Sequence, residues 1–108
     1  MVTRIHFEWD EAKNIANQRK HEVSFEIASR FFEGPVFSIA DERRDYGEVR
    51  MLSIGSAEEL LVLAVVHTDR AGNRRIISAR HANRIERKAY EEAIEKAVER
   101  RRNRSAAG

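Results

Sequence analysis

The residues best suited to chemistry in this chain lie between positions 65 and 81, in the segment VVHTDRAGNRRIISARH. Four arginines and two histidines stand among apolar residues there. Imidazole titrates near neutral pH and can transfer protons, whereas a guanidinium group can bind two phosphate oxygens at once. Because Ala-Gly-Asn at 71–73 separates two apolar runs, the segment is predicted to be a β-hairpin. Such a hairpin is suited to an anionic, phosphate-bearing ligand.

The two strands of this hairpin differ in how they present side chains. Residues 60–66 form a nearly continuous apolar run, which is typical of a central strand buried on both faces. In the second strand, side chains alternate between the faces with a period of two. One face is therefore expected to carry Arg74, Ile76, Ser78 and Arg80, and the other Arg75, Ile77 and Ala79.

Capping signals and spacing predict the remaining elements. Asp10 and Ser24 can cap two helices, the second of which ends before Gly34-Pro35. Apolar residues at helical spacing from 82 to 97 predict a last helix of about five turns, whose apolar stripe packs on the sheet. The other elements are expected as a strand at 4–9, a helix at about 10–20, strands at 36–40 and 48–54, and a turn at 41–47.

The resulting order, β-α-α-β-β-β-β-α, predicts an α+β fold in which the four consecutive strands form an antiparallel meander sheet packed against helices on one face. A chain of 108 residues, 42% of them hydrophobic, can form one core, so residues 1–108 are expected to be a single domain with a frayed basic tail from about 100 to 108. The sequence has no cysteine, and we find neither a signal peptide nor a membrane-spanning run. A cytoplasmic location away from membranes is therefore expected.

The net charge of +2 is unevenly distributed along the chain. Residues 1–68 carry a formal charge of −4, and residues 69–108 carry +6. The C-terminal part is therefore expected to face an anionic partner such as nucleic acid, although a solvated charged surface is the alternative.

Several motifs in a fixed order resemble the BrnT-type toxins of bacterial type II toxin–antitoxin pairs. They are FEWDEAKNIANQRKH, VSFEIASRFF, GEVRMLSIG, VVHTDR and RRIISARHANRIERKAY, and together they span residues 7 to about 90. Glu22 stands where the family usually has Gly, and His81 where it usually has Lys or Arg. The resemblance implies a RelE/ParE-like fold and a ribonuclease that blocks translation by cutting mRNA, free or on the ribosome. It also implies a cognate antitoxin, encoded adjacently, through which alone the toxin would contact DNA.

Metal-independent RNA cleavage needs a general base, a general acid and cations that stabilise the phosphorane, and it leaves a 2′,3′-cyclic phosphate. His67 is a candidate acid or base, its alternative being a strand-end histidine bonded to backbone. Glu48 could be the base, its alternative being a surface carboxylate paired with Arg50. Arg80 and Arg50 are the candidates for the scissile phosphate, their alternative being ion pairs. The sequence leaves open which residue is the acid and which the base.

Further residues are candidates for holding RNA outside the catalytic set. Arginines crowd the hairpin turn, a polar face runs along helix one, and a tryptophan at a strand end could stack on a base. Solvent exposure is the alternative for the charged residues, and core packing for the tryptophan. These candidates are Arg70, Arg74, Arg75, Lys13, Asn17, Lys20, His21 and Trp9.

No metal site and no cofactor are expected, because the histidines show no i, i+4 ligand pair and no glycine-rich phosphate loop occurs. An RNA-cutting toxin is one class of function that fits. A non-catalytic module of the same fold that binds nucleic acid or protein is the other. A toxin of this fold that attacks gyrase is less favoured, because ISARH and HTDR resemble the RNA-cutting branch.

Overall fold

The computed structural model describes residues 5–43, 45–58 and 61–107, with side chains up to residue 103. The α+β class is confirmed. The elements are β1 (His6–Glu8), α1 (Glu11–His21), α2 (Phe25–Phe31), β2 (Val36–Ala40), β3 (Met51–Ala57), β4 (Leu61–Arg70), β5 (Asn73–His81) and α3 (Arg84–Ala107). The side chains of Asp10 and Ser24 cap α1 and α2 by accepting from backbone N–H groups, as the sequence indicates.

The five strands form one mixed sheet in the order β1-β5-β4-β3-β2. Neighbours from β2 to β5 pair antiparallel, whereas β1 pairs parallel with β5. The predicted meander did not include β1, whose parallel pairing with β5 makes the sheet mixed. Alternation of polar and apolar residues identifies a strand but indicates neither its neighbour nor its direction.

A β-bulge in β5 changes which side chains share a face. Val66 pairs with Ser78, but the next residue, His67, pairs with Ile76, so Ile77 is an extra residue in β5. A bulge of this kind breaks the alternation of side chains. The prediction that Arg74 and Arg80 share a face is therefore wrong, because the bulge lies between them.

The face that packs against α1 and α2, here called the α2 face, holds the larger hydrophobic core. The buried side chains of Phe25 and Phe31 from α2 meet Leu63, Val65 and Ile76 from the sheet. At the α2–β3 contact, a Cβ on Gly55 would lie 2.8 Å from Val36 Cγ1 and 3.0 Å from a ring carbon of Phe31. Only glycine permits this close approach.

Two buried asparagines, Asn14 and Asn17, fix α1 in place. Asn17 Nδ2 donates to the carbonyl oxygens of Ala79, at 2.7 Å, and Val23, at 2.8 Å, while Asn17 Oδ1 accepts from the Ala79 N–H at 3.2 Å. β1 pairs only with residues 73–75 of β5. At Ala79, further along β5, the side-chain amide of Asn17 therefore takes the place of a neighbouring strand as hydrogen-bond partner of the backbone. The prediction that Asn17 belongs to an accessible polar face of helix one is therefore wrong, because its side chain is buried.

The opposite face, here called the α3 face, carries α3 over β3 and β2. Helices thus cover both sides of the sheet, and the expectation of helices on one face is wrong. α3 has 24 residues, more than the predicted five turns, and its stripe is half-buried only from Ala89 to Ile94. Ile85 and Val98, at the ends of the predicted stripe, are 80% and 44% exposed, so the sheet covers only the middle of the stripe.

In the part of the chain that the structure describes, no helix is both long enough and apolar enough to cross a membrane.

Candidate active site

Arg80 and Glu86 form a two-point ion pair where β5 ends and α3 begins. Arg80 Nη1 and Nη2 donate to Glu86 Oε1 and Oε2 at 2.7 and 2.9 Å. Glu86 and Asn83 also cap α3 reciprocally. The backbone N–H of Asn83 donates to Glu86 Oε1 at 2.9 Å, and the backbone N–H of Glu86 donates to Asn83 Oδ1 at 2.8 Å. The guanidinium of Arg80 is therefore held in one orientation, with 34% of its side chain exposed.

The C-terminal end of α1 lies beside this ion pair. His21, the last residue of α1, is half-buried and close enough to Arg80 and His81 for both to affect its pKa. Burial is the main cause that lowers the pKa of His21, and Lys20, Arg80 and His81 lower it further. A histidine with a lowered pKa is neutral at pH 7 and can accept a proton. Arg80, Glu86 and His21 are called the Arg80 cluster below, whereas His81 pairs with Leu63 in the register and points to the α2 face.

A second group of side chains, here called the Arg50 cluster, comprises Tyr46, Glu48, Arg50 and Arg70. Glu48 Oε2 accepts from Arg70 Nη2 at 2.9 Å, and Glu48 Oε1 accepts from Arg50 Nε at 3.3 Å. The Arg50 guanidinium carbon lies 3.9 Å from the ring centroid of Tyr46. The hydrogen bond from Arg70, together with Arg50, lowers the pKa of Glu48. Glu48 is therefore an ionised carboxylate that orients two arginines, and its pairing with Arg50 agrees with the alternative that the sequence offered.

The loop between β2 and β3 carries three members of the Arg50 cluster and also approaches the Arg80 cluster through Arg43. Arg43 pairs with Asp41 through Nε and Nη2, at 2.8 and 2.9 Å. Arg43 is close enough to Arg80 and Glu86 to affect the pKa of each, and Arg50 similarly affects Asp41. The Arg80 and Arg50 clusters are thus linked by a row of arginines and carboxylates.

His67 is not part of this row. Its side chain is 3% exposed and lies on the α2 face, where Nε2 is 2.7 Å from Ser53 Oγ and the ring meets Phe32 edge-on at 5.0 Å. Arg80 pairs with Ala64 in the sheet register and therefore points to the opposite face. The structure does not bring together His67 and Arg80, which the sequence had placed around one groove.

The environment of His67 keeps its ring neutral. Burial, with a smaller effect of Arg74, lowers the pKa of His67 to about 4, and Asp69 opposes the shift. His67 Nδ1 has no hydrogen-bond partner among the described residues, and the Asp69 carboxylate is 3.8 Å away. His67 is thus placed as a neutral histidine of the core.

The two other arginines of the hairpin lie on different faces. On the α2 face, Arg74 Nε donates to Asp69 at 2.9 Å, and its guanidinium lies 4.8 Å from the Phe32 ring centroid. Arg75 pairs with Thr68 in the register and lies 3.6 Å from Glu8. Of the two, only Arg75 lies on the same face as Arg80.

The N-terminal candidates surround α1. Lys13 and Lys20 are exposed, and Lys20 adjoins His21 of the Arg80 cluster. Trp9 is half-buried, meets Phe25 edge-on at 6.2 Å and donates from Nε1 to Glu11 at 3.1 Å. This placement agrees with core packing of Trp9.

The sequence analysis did not single out Glu86, Tyr46 or Arg43, and it noted His81 only as a departure from the family. The spacing Asn83-x-x-Glu86 is a capping-box pattern and could have marked Glu86. No pattern in the sequence indicates that Tyr46 and Arg43 lie beside arginines of the sheet. Within the described ranges, no three His, Cys, Asp or Glu side chains are grouped so that they could hold a metal ion.

Comparisons with known proteins identify the family of this chain. Residues 9–86 match the family described as ribonuclease toxin, BrnT, of type II toxin-antitoxin systems. The crystal structure of the ribonuclease toxin BrnT of Brucella abortus matches 75% of this chain and 100% of its own, with a TM-score of 0.56 and 26% sequence identity. No curated protein sequence matches. Because the family match includes α1, α2, β2 to β5 and the Arg80–Glu86 pair, this chain belongs to the BrnT family of ribonuclease toxins.

Proposed function

We propose that this protein is a metal-independent endoribonuclease that cuts mRNA in the cytoplasm and thereby blocks translation. The observation that carries the proposal is the two-point contact between Arg80 and a carboxylate. A guanidinium held in this geometry fits two oxygens of a phosphate equally well. Arg80 is partly exposed, and a neutral histidine lies beside it.

In this proposal the scissile phosphate contacts Arg80. His21 takes the proton from the 2′-hydroxyl, whose oxygen then attacks phosphorus, and the bond to the 5′-oxygen breaks. A water molecule donates a proton to that leaving oxygen, because the side chain of His81, which pairs with Leu63 in the register, points to the α2 face. The products are a 2′,3′-cyclic phosphate and a 5′-hydroxyl, and Arg80 stabilises the charge on the phosphorane.

The Arg50 cluster would hold the neighbouring nucleotide. Arg50 and Arg70 present cations that Glu48 orients, and the Tyr46 ring offers a surface for stacking a base. Arg50 therefore keeps the phosphate-binding role that the sequence suggested, whereas Glu48 acts by positioning it. His67 supports the sheet from the core, since substrate cannot reach its buried ring.

The proposal includes a cognate antitoxin, which the family description supports. An inhibitor that covers these arginines should present Asp or Glu in place of phosphates. Contact with DNA would then occur only through the toxin–antitoxin complex.

The test uses purified protein and a long single-stranded RNA, with and without EDTA. We expect cleavage in both conditions, cyclic phosphate ends, and a loss in the Arg80→Ala variant of roughly 100-fold or more, as for removal of one oxyanion donor. Arg30→Ala, an exposed change on α2, is the matched control and should cleave normally. RNA binding without any cleavage by the folded wild type would favour the non-catalytic module.

A further inference from the structure

The last part of α3 extends beyond the sheet. The half-buried positions of α3 end at Ile94, and residues 95–103 are all exposed. Arg100 follows Glu86 by 14 residues, or about 21 Å along the helix axis at 1.5 Å per residue. This segment, here called the α3 arm, lies outside residues 9–86 that match the family.

The α3 arm carries three consecutive cations. Arg100, Arg101 and Arg102 are exposed, and successive helix residues are about 100° apart, so they cover more than half of the helix circumference. None of the ion pairs among the described side chains involves them. Of the ten arginines described between residues 5 and 94, six lie within 4 Å of a carboxylate, namely Arg43, Arg50, Arg70, Arg74, Arg75 and Arg80, whereas the exposed Arg19, Arg30, Arg84 and Arg87 do not.

The apolar pattern of the α3 arm does not suit a protein groove. A docking helix repeats apolar residues at i, i+3, i+4 and i+7. Here Ala97 and Val98 continue the spacing from Ile94, but the next position of the stripe is Arg101. The arm carries four cations, Lys96 and Arg100 to Arg102, against two carboxylates, Glu95 and Glu99, so its net charge is positive and suits a polyanion.

We propose that the α3 arm binds the phosphate backbone of the RNA strand that is cleaved at the Arg80 cluster, several nucleotides away from the cut. This inference rests on the proposed function and adds a second contact region to it. Arginine contacts to phosphate position a strand without reading its sequence. The arm should therefore raise affinity for long RNA and leave base preference unchanged.

The test compares wild type with a triple variant, Arg100→Gln, Arg101→Gln and Arg102→Gln. Glutamine keeps helix propensity and removes the charge. The probe is a long single-stranded 2′-O-methyl RNA, which lacks the 2′-hydroxyl nucleophile, and its Kd is measured by fluorescence anisotropy over a range of salt concentrations. Matched variants are the corresponding triple lysine change, which keeps the charge, and Arg19→Gln with Arg30→Gln, which removes two exposed cations elsewhere.

We expect the triple glutamine variant to bind RNA more weakly. The slope of its log Kd plotted against log salt concentration should be smaller by about 2, since three phosphate contacts are lost and each contributes about 0.7. The lysine variant should resemble wild type, and the Arg19/Arg30 variant should change the slope less. A dinucleotide held at Arg80 cannot reach the arm, so its cleavage should be unaffected in all variants.

An unchanged slope in the triple glutamine variant would overturn the inference. So would unchanged RNA affinity combined with weaker binding of the antitoxin, because the arm would then be a protein surface. Binding to the 2′-O-methyl RNA does not require cleavage, so absence of ribonuclease activity would refute the proposed function separately.

Discussion

Asn17 closes the outer edge of β5 by bonding to both the N–H and the carbonyl oxygen of Ala79. Beyond residues 73–75, where β1 ends its pairing, an edge strand would leave such groups without a partner. The contact also fixes α1 next to Arg80, the residue after Ala79. One amide side chain thus both stabilises the sheet edge and brings His21 to the candidate active site.

We therefore expect Asn17→Ala to destabilise the protein by about 2 to 4 kcal/mol, because it leaves buried backbone groups of Ala79 and Val23 unsatisfied. The free energy of unfolding in urea measures the effect. Arg19→Ala, an exposed change on the same helix, should alter it by less than about 0.5 kcal/mol. Equal stability of the two variants would mean that the edge of β5 does not depend on Asn17.

The buried His67 predicts a stability that depends on pH. Its folded pKa of about 4 lies below the usual 6.5, so the unfolded chain binds the proton more tightly. The contribution of His67 to the free energy of unfolding is fully present above pH 6.5. It falls as the pH drops from 6.5 to about 4 and is constant below that pH. The total loss should be roughly 3 kcal/mol.

His67→Gln provides the comparison for this prediction, because an amide can still bond to Ser53 but does not titrate. The free energy of unfolding in urea is measured for both proteins at several pH values between 7 and 4. Since the carboxylates titrate in both proteins, the difference between the two curves gives the contribution of His67. Parallel stability curves for wild type and His67→Gln would contradict the prediction.

Local signals in the sequence predicted much of the fold. The features that the sequence analysis did not predict depend on contacts between residues far apart in the chain. The caps Asp10 and Ser24 and the hairpin turn depend on neighbouring residues, and their elements are as expected. The bulge at Ile77 depends on pairing between strands, and no residue pattern marks it. Because that one extra residue separates the faces of Arg74 and Arg80, it also changed the predicted site.

The candidate site was predictable in part for the same reason. Arg80 and Arg50 could be chosen by residue type, since guanidinium groups suit phosphate. The burial of His67 and the approach of His21 depend on how α2 and α1 pack, which the spacing of residues in the sequence does not specify.

Glu22 carries a structural cost at the end of α1. It ends α1 with φ 61°, a left-handed conformation that glycine adopts freely and other residues do not. Glu22→Gly should therefore stabilise the protein by about 1 kcal/mol, measured by thermal or urea unfolding. Glu22→Ala is the control and should give no such gain, because alanine retains the Cβ that causes the strain.

The protonation of His21 is the most direct check on the proposed chemistry. Its pKa should lie below 6.5, first because of burial and then because of the nearby Lys20, Arg80 and His81. A general base must be deprotonated, so kcat/KM should rise with pH on a limb below 6.5 and then become constant where His21 is neutral. His21→Asn should slow cleavage about 100-fold or more.

The same residue can be titrated by NMR without any substrate. Removing a neighbouring positive charge favours the protonated imidazole, so the pKa of His21 should rise in Arg80→Gln and should stay unchanged in Arg30→Gln, whose site on α2 is exposed. A His21 pKa above 6.5 in the wild type, or one that does not respond to Arg80→Gln, would mean that Arg80 and His21 do not act on each other. The base would then have to be sought among the other residues close to Arg80. The pH limb of the cleavage rate and the NMR titration must agree, because both report the same proton.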